Sequence, residues 1–367
     1  MKIERVIISG GGTGGHIFPA LAIANEIRKR FPEALILFVG AENRMEMEKV
    51  PQSGYRIIGL PVTGMPRKPG IGMVRFVVRL LKSYNLAQKI INQFKPQIAI
   101  GVGGFASGPL LRAAAAKGIP YLIQEQNSFA GITNKLLGKK AKTICVAFEN
   151  MEKYFPGNKI VITGNPVREN LKITDEAKKE AIGHFGLKKG EKVILVLGGS
   201  LGAQSVNEAV TGGLDQIAAS GVEFIWQTGS IYYKRILEKL DKKIPDNLFI
   251  VEFISRMDLA YAVADVVISR AGAGTISELC LVGKPSILVP SPNVAEDHQT
   301  KNALALVEKG AAVMIADKEI NDKLINEALR IVNTPEECRL LSENIKRMAR
   351  PHAAGHIVDE AEKLLKE

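Results

Sequence analysis

A chain of 367 residues is longer than one ordinary hydrophobic core sustains and calls for two domains of about 150 residues or somewhat more. Its 46% hydrophobic and 24% charged residues exclude wholesale disorder, and three widely spaced cysteines (Cys145, Cys280, Cys338), without CxxC or histidine spacing, exclude a disulfide framework or a zinc site. The formal charge of +11 fits an anionic partner, whether nucleic acid, an acidic membrane surface or a phosphorylated substrate, and fits a lysine-coated surface equally well.

Apolar, β-branched runs at 3–8, 35–39, 98–102, 143–147, 193–197, 223–227, 265–269 and 286–289 alternate with helical stretches, the pattern of parallel sheets covered on both faces. The first run, in "MKIERVIISGG", is interrupted by Glu4 and is too short for a signal-peptide core. No run reaches the roughly 18 apolar residues of a membrane span, so the expected location is the cytoplasm. Two segments share one plan of basic residue, buried strand, Gly-Gly turn and amphipathic helix: "RVIISGGGTGGHIFPALAIANEI" from residue 5 and "KVILVLGGSLGAQSVNEAV" from residue 192. Each is expected to open its own Rossmann-like domain. The expected division is 1–163 and 164–349, with "TGNPVREN" (163–170) as the crossing, followed by a helical pattern at 350–367 after Pro351 that is open to packing back on the first domain.

After the first strand come five glycines in six residues, Gly10 to Gly15 around Thr13, then His16. Gly10, Gly12 and Gly15 match GxGxxG, which alone suggests a dinucleotide site with Glu42 on the ribose. Any phosphate group, however, gains from glycines that let backbone N–H groups approach and from the partial positive charge at a helix N-terminus. A nicotinamide-dependent dehydrogenase would also leave the second glycine-rich half without a task. Walker A chemistry is excluded, since GxxxxGK[ST] is absent. His16, in the first turn of its helix, is the candidate general base: the N-terminal dipole disfavours imidazolium, leaving a neutral ring able to take a proton near pH 7. A cap or a packed surface histidine is the plainer alternative.

From 67 to 89, Val74, Val78, Leu81 and Tyr84 fall at helical spacing beside Arg67, Lys68, Arg75, Arg79 and Lys82, and no acidic residue occurs between 49 and 124. Most amphipathic helices simply face a core, but this composition also suits anionic lipid. A further glycine-rich strand exit, "GVGGFASGP" at 101–109, would face the same crevice as the first and could hold a second phosphate, or could be a plain tight turn. In the second half, "DVVISRAGAGTISELCLVGKPSILVP" runs strand, glycine turn, helix, strand. Thr275 and Glu278 sit at capping-box spacing, and Glu278 is equally placed to accept from two ribose hydroxyls while the helix start faces a diphosphate. No Asp-x-Asp occurs, so the carboxylate cluster that would hold a divalent metal on a nucleotide diphosphate is not expected, and no cofactor is called for. A nucleic-acid module would explain the charge, but with one Trp and no RNP, helix-turn-helix or zinc signature, none is expected.

Taken in order, "GGTGGHIFPALA", "GGFASGP", "QEQNSFAGITNK", "GNPVR", "GGSLGAQSVN", "SRAGAGTISEL" and "DHQTKNA" closely resemble the MurG family over about residues 3 to 310. These are the bacterial transferases that move N-acetylglucosamine from UDP-N-acetylglucosamine onto undecaprenyl-diphospho-muramoyl-pentapeptide (lipid I), completing lipid II of peptidoglycan. The resemblance implies a GT-B fold, two Rossmann-like doubly wound parallel-sheet domains facing across a cleft, with the donor mainly against the second. It implies substrate contacts at Thr13, Gly14, Gly15, Asn127, Arg168, Ser200, Ala273, Gly274, Thr275, Ile276 and Ser277, with Ile254 near the uracil, Glu278 on the ribose and Gln299 orienting the sugar. Phe105, Leu201 and Thr300 depart from residues common in the family.

The expected reaction is an inverting, metal-independent displacement at C1 by the muramoyl 4-hydroxyl. His16 would be the base, with Asn127 and Asn134 positioning substrate. Gly12, Gly103, Gly104, Phe105 and Ser107, on the two glycine loops, would hold the acceptor diphosphate. Val74, Arg75, Val78, Arg79, Leu81, Lys82 and Tyr84 would touch the anionic inner leaflet, which makes the enzyme peripheral on the cytoplasmic side of the cell membrane. Cell-wall synthesis and division proteins are natural docking partners of such an enzyme.

Overall fold

Val6, Ile7 and Ile8 are all fully buried at successive positions of one strand, which requires cover on both faces because successive side chains point to opposite sides. The computed structural model describes residues 2–66, 70–167, 171, 173–241 and 243–366. Among these residues the strands are β1 (Arg5–Ser9), β2 (Leu35–Ala41), β3 (Arg56–Leu60), β4 (Ile98–Gly101), β5 (Tyr121–Glu125), β6 (Thr143–Val146), β7 (Ile160–Ile162), β8 (Val193–Leu197), β9 (Glu223–Gln227), β10 (Leu248–Val251), β11 (Val266–Ser269), β12 (Ser286–Leu288) and β13 (Val313–Met314). The helices are α1 (Gly14–Arg30), α2 (Glu46–Gln52), α3 (Ile71–Phe94), α4 (Ser107–Ala116), α5 (Ile132–Gly138), α6 (Asp175–Phe185), α7 (Gln204–Gly212), α8 (Leu214–Ala219), α9 (Tyr233–Leu240), α10 (Met257–Val263), α11 (Ala273–Val282), α12 (His298–Val307), α13 (Ile320–Val332), α14 (Pro335–Arg347) and α15 (Ala353–Leu364).

The chain divides into two compact units, one of Met1–Val167 with Arg350–Glu367 and one of Arg168–Ala349. The first holds a seven-stranded sheet in the order β3-β2-β1-β4-β5-β6-β7, parallel throughout. Val6 and Ile8 of β1 pack with Ile17, Ile23 and Ile27 of α1 and with Ile357, Val358 and Ala361 of α15. Ile7 faces the other way, toward Ile90 and Ile91 of α3 and Leu110 and Leu111 of α4. Arg30 at the end of α1 holds α15 in place, its guanidinium hydrogen-bonded to Asp359 and Glu362 while Nε donates to Glu26 of its own helix.

The second unit holds a six-stranded parallel sheet in the order β10-β9-β8-β11-β12-β13. One of its faces buries Ile194, Val196, Phe224 and Trp226 against Val206 and Val210 of α7 and Leu324, Ile325 and Ala328 of α13. The indole N–H of Trp226 donates to Asn207 Oδ1 at 3.0 Å and Asn207 Nδ2 donates to the Thr228 carbonyl at 2.9 Å, so this large ring is buried without an unsatisfied donor. In both sheets the strand order reverses beside the first strand, between β1 and β4 and between β8 and β11. Such switch points open a crevice beyond the carboxyl ends of the strands.

Candidate active site

In the first unit the two glycine-rich turns leave β1 and β4, the strands of the switch point, and they interlock. Gly104 has φ +86°, and a Cβ there would lie 2.4 Å from the Gly11 carbonyl oxygen. Gly103, at φ +93°, lies against the imidazole of His16, where a Cβ would come within 2.7 Å of Cδ2 and 2.8 Å of Nε2. His16 is half-buried at the third position of α1, after Thr13 as N-cap. Its Nδ1 is 3.1 Å from the Gly11 carbonyl oxygen and 3.4 Å from Thr13 Oγ1. Thr13 and Gly15 are exposed at the mouth of this turn, and the Gly14 and Gly15 amides precede the first intrahelical hydrogen bonds.

Two loop residues sit otherwise than expected of diphosphate ligands. The Gly12 amide points inward and donates to Oε2 of Glu46 at 2.9 Å, so a carboxylate already occupies the donor that an anion would need. Ser107 is fully buried, with its hydroxyl between the Ser9 and Gly103 carbonyl oxygens at 3.0 and 2.8 Å; it fastens the two turns together. Phe105 remains exposed, over Gly64.

The end of β5 carries a buried polar network. Glu125 is 2% exposed; its Oε1 accepts from the backbone and side-chain nitrogens of Asn127 at 3.1 and 3.3 Å, and its Oε2 from the Gly131 amide at 3.0 Å and Asn134 Nδ2 at 2.9 Å. Four donors on one carboxylate fix the path of residues 126–131. Gln124 and Gln126 continue the network to Asn165. Asn134 is thus a buried strut, while Asn127 is half-exposed at the surface of the network.

On α3 the residues Val74, Arg75, Val78, Arg79, Leu81 and Lys82 are all exposed, and Ile71 and Val77 extend the apolar stripe. Tyr84 turns the other way. Lying about 60° around the helix from Leu81, on the side of the buried Ser83 and Ala87, it packs against the core and its hydroxyl accepts from Gln88 at 3.2 Å. Arg67 and Lys68 lie outside the described residues. Among the described residues no helix is long and apolar enough to cross a membrane.

In the second unit the turns after β8 and β9 interlock as those of the first unit do: Gly202, at φ +89°, has the Thr228 carbonyl oxygen 2.2 Å from where a Cβ would lie. Ser200 is exposed on this turn. Gln227 ties the turn to the segment after β10, donating to the Gly199 carbonyl at 3.1 Å and accepting from the Ile254 amide at 2.9 Å, and Ile254 itself is 3% exposed. Across the switch point, α11 starts at Ala273 with Gly272 as its N-cap. Thr275 is therefore inside the first turn rather than at the cap, so Thr275 and Glu278 form no capping box. Glu278, half-buried in the second turn of α11, has its Oε2 accepting from the hydroxyl of the fully buried Tyr261 at 3.1 Å, which restrains the carboxylate's orientation. Gly274, Thr275 and Ser277 are half-buried, and Ile276 points into the core. Gln299 Oε1 accepts from the Ser291 amide at 2.8 Å. Arg168 lies outside the described residues.

Several of these residues escape sequence reasoning. Glu46 stands in an acidic stretch that reads as a solvated helix start. Glu125, at the end of an apolar run, carried a usable signal, since a carboxylate there needs partners. Arg270 spans Val289 and Pro290 carbonyls, Ser205 and Asp317, tying the ends of β11 and β12 to the start of α7; only its place before the glycine turn hinted at it.

Two doubly wound parallel sheets, each with glycine turns meeting near its switch point, have the architecture of the GT-B glycosyltransferases. Residues 6–146 match the glycosyltransferase family 28 N-terminal domain and residues 193–357 the glycosyltransferase family 28 C-terminal domain. The chain is 59% identical to the UDP-N-acetylglucosamine–N-acetylmuramyl-(pentapeptide) pyrophosphoryl-undecaprenol N-acetylglucosamine transferase of Parabacteroides distasonis, over 100% of this chain and 99% of that protein. It is 57% identical to the Bacteroides fragilis protein of the same name, over 98% of this chain and 95% of that one. Among solved structures it is similar to Acinetobacter baumannii MurG, with 30% identity and a TM-score of 0.77 over 98% of this chain and 99% of that one. The chain belongs to the MurG family.

Proposed function

We propose that this protein transfers N-acetylglucosamine from UDP-N-acetylglucosamine to the 4-hydroxyl of the muramoyl residue of lipid I, giving lipid II. What carries this assignment is the likeness along the whole chain, 59% identity over 100% of its length, to a transferase named for that donor and acceptor. The site chemistry supports it. Direct displacement at C1 builds positive charge on the sugar and negative charge on departing UDP. The exposed Ser200 turn and the N-terminus of α11 offer hydrogen-bond donors and a positive dipole end to that leaving group. Glu278, oriented by Tyr261, would accept from the ribose hydroxyls, Ile254 would border the uracil, and Gln299 and Asn127 would orient sugar and acceptor. His16 would take the proton of the attacking hydroxyl. With the Gly12 amide engaged by Glu46, the acceptor diphosphate falls to the amides of Gly14 and Gly15, with Thr13, and to the Gly103–Gly104 turn.

Backbone dipoles acting on the leaving group make a divalent metal unnecessary. A radiolabel transfer assay with UDP-N-acetylglucosamine and a lipid I analogue is expected to run at an unchanged rate in excess EDTA. Loss of turnover on chelation would refute the metal-free step, and no product in either condition would refute the substrate pair.

The exposed stripe Ile71, Val74, Val78 and Leu81, flanked by Arg75, Arg79 and Lys82, suits an anionic leaflet, with apolar side chains entering the acyl boundary and cations at the headgroups. Leu81→Glu combined with Arg79→Glu is expected to weaken sedimentation with phosphatidylglycerol vesicles while sparing turnover of a short, water-soluble acceptor. Unchanged vesicle binding would remove α3 as the docking face.

A further inference from the structure

We propose that Glu46 is a positioning residue that selects the tautomer of His16. It rests on the assignment of His16 as the base. Glu46 is fully buried in the first turn of α2. Its Oε1 accepts the Ala41 amide at 3.0 Å and its Oε2 the Gly12 amide at 2.9 Å. The carboxylate fits because its neighbours carry no side chain: a Cβ on Gly11 would lie 2.1 Å from Oε1, and one on Gly40 would lie 2.5 Å from Cγ.

The Gly12 N–H and the Gly11 C=O belong to one planar trans peptide, so they point in opposite directions. By gripping the N–H on one side, Glu46 aims the carbonyl toward His16, whose Nδ1 is 3.1 Å away. A peptide between two glycines has little steric preference of its own, and Gly12 already sits at φ +87°; the carboxylate supplies the preference that the glycines lack. A carbonyl oxygen can only accept, so Nδ1 carries the hydrogen and the lone pair of the neutral ring is on Nε2. A competing arrangement lies within reach: Thr13 Oγ1, 3.4 Å from Nδ1, would donate to that nitrogen if the peptide turned over, moving the ring hydrogen to Nε2 and leaving no base on that atom.

Glu46→Gln tests this, because one arm of the amide becomes a donor facing a backbone N–H. In protein labelled with ¹⁵N-histidine, the His16 ring resonances, assigned by their loss in His16→Asn, are expected to show the Nδ1–H tautomer in wild type and a shift toward Nε2–H in Glu46→Gln. The kcat/KM of that variant is expected to fall by about ten- to a hundredfold. Glu46→Asp, which keeps both acceptors but withdraws them from the backbone, should show the same spectral change to a lesser degree, and it supplies the reading if Glu46→Gln does not fold. A wild-type ring in the Nε2–H form, or His16 signals unmoved in the folded variant, would overturn the proposal. If His16→Ala keeps its turnover, the base assignment fails, whereas the tautomer claim stands or falls by the spectrum alone.

Discussion

Replacing His16 with alanine is expected to lower kcat by about two to four orders of magnitude, the usual contribution of a positioned base, while affinity for UDP stays near its wild-type value. The loss corresponds to about 3–5 kcal/mol of transition-state stabilisation. The separation follows from where the groups sit. The imidazole lies in the glycine turns of the first unit, whereas the groups assigned to the nucleotide, Ser200, Ile254 and Glu278, all belong to the second. The fold should tolerate the change, since the ring is half-buried and water entering the space it leaves can donate to its Nδ1 partner, the Gly11 carbonyl. Steady-state kinetics with UDP titration calorimetry checks the split. Equal losses in turnover and UDP affinity would make His16 a structural residue, and a pure rise in KM would make it a binding group.

The eight strand runs legible in the sequence all became strands, because β-branched residues buried on both faces give an unmistakable run. Of the five that were not read, β13 and β5 escape for separate reasons. β13 is two residues long, too short to show a pattern. β5 ends in Gln124 and Glu125, polar residues that are buried through a network no local window reveals. The glycine turns were legible because positive φ and close backbone approach demand glycine. What fills the space beside them was not: Glu46 lies 34 residues from the amide it holds. Spacing also cannot tell on which side of a helix start a residue falls, which is how Thr275 at cap spacing proved to be within α11. The inward turn of Ser107 and the coreward face of Tyr84 are likewise set by neighbours from other elements.

Gly229→Ala is expected to destabilise the second unit by about 4 kcal/mol or more, a large part of the 5–15 kcal/mol that a typical domain has. Gly229 has φ +83°, and an added Cβ would lie 2.1 Å from the Gly202 amide nitrogen and 2.3 Å from its Cα. Every atom in the way is main chain, so no rotamer change can relieve the clash. The left-handed backbone adds roughly 1–2 kcal/mol for a residue with a Cβ. Relief would require moving Gly202 off the Thr228 carbonyl or breaking the bond from the Gly229 amide to the Glu252 carbonyl at 3.1 Å, and either shift drags the Ser200 turn with it. Gly212→Ala is the matched control: it sits in α7 with nothing within 4 Å of the new methyl, and it should be neutral or stabilising by up to about 1 kcal/mol. Urea unfolding of the two variants, with and without UDP, measures both numbers. A Gly229→Ala protein that is as stable as wild type and still stabilised by UDP would mean that the two turns can part without cost, and the interlock would then have no role in shaping the proposed leaving-group site.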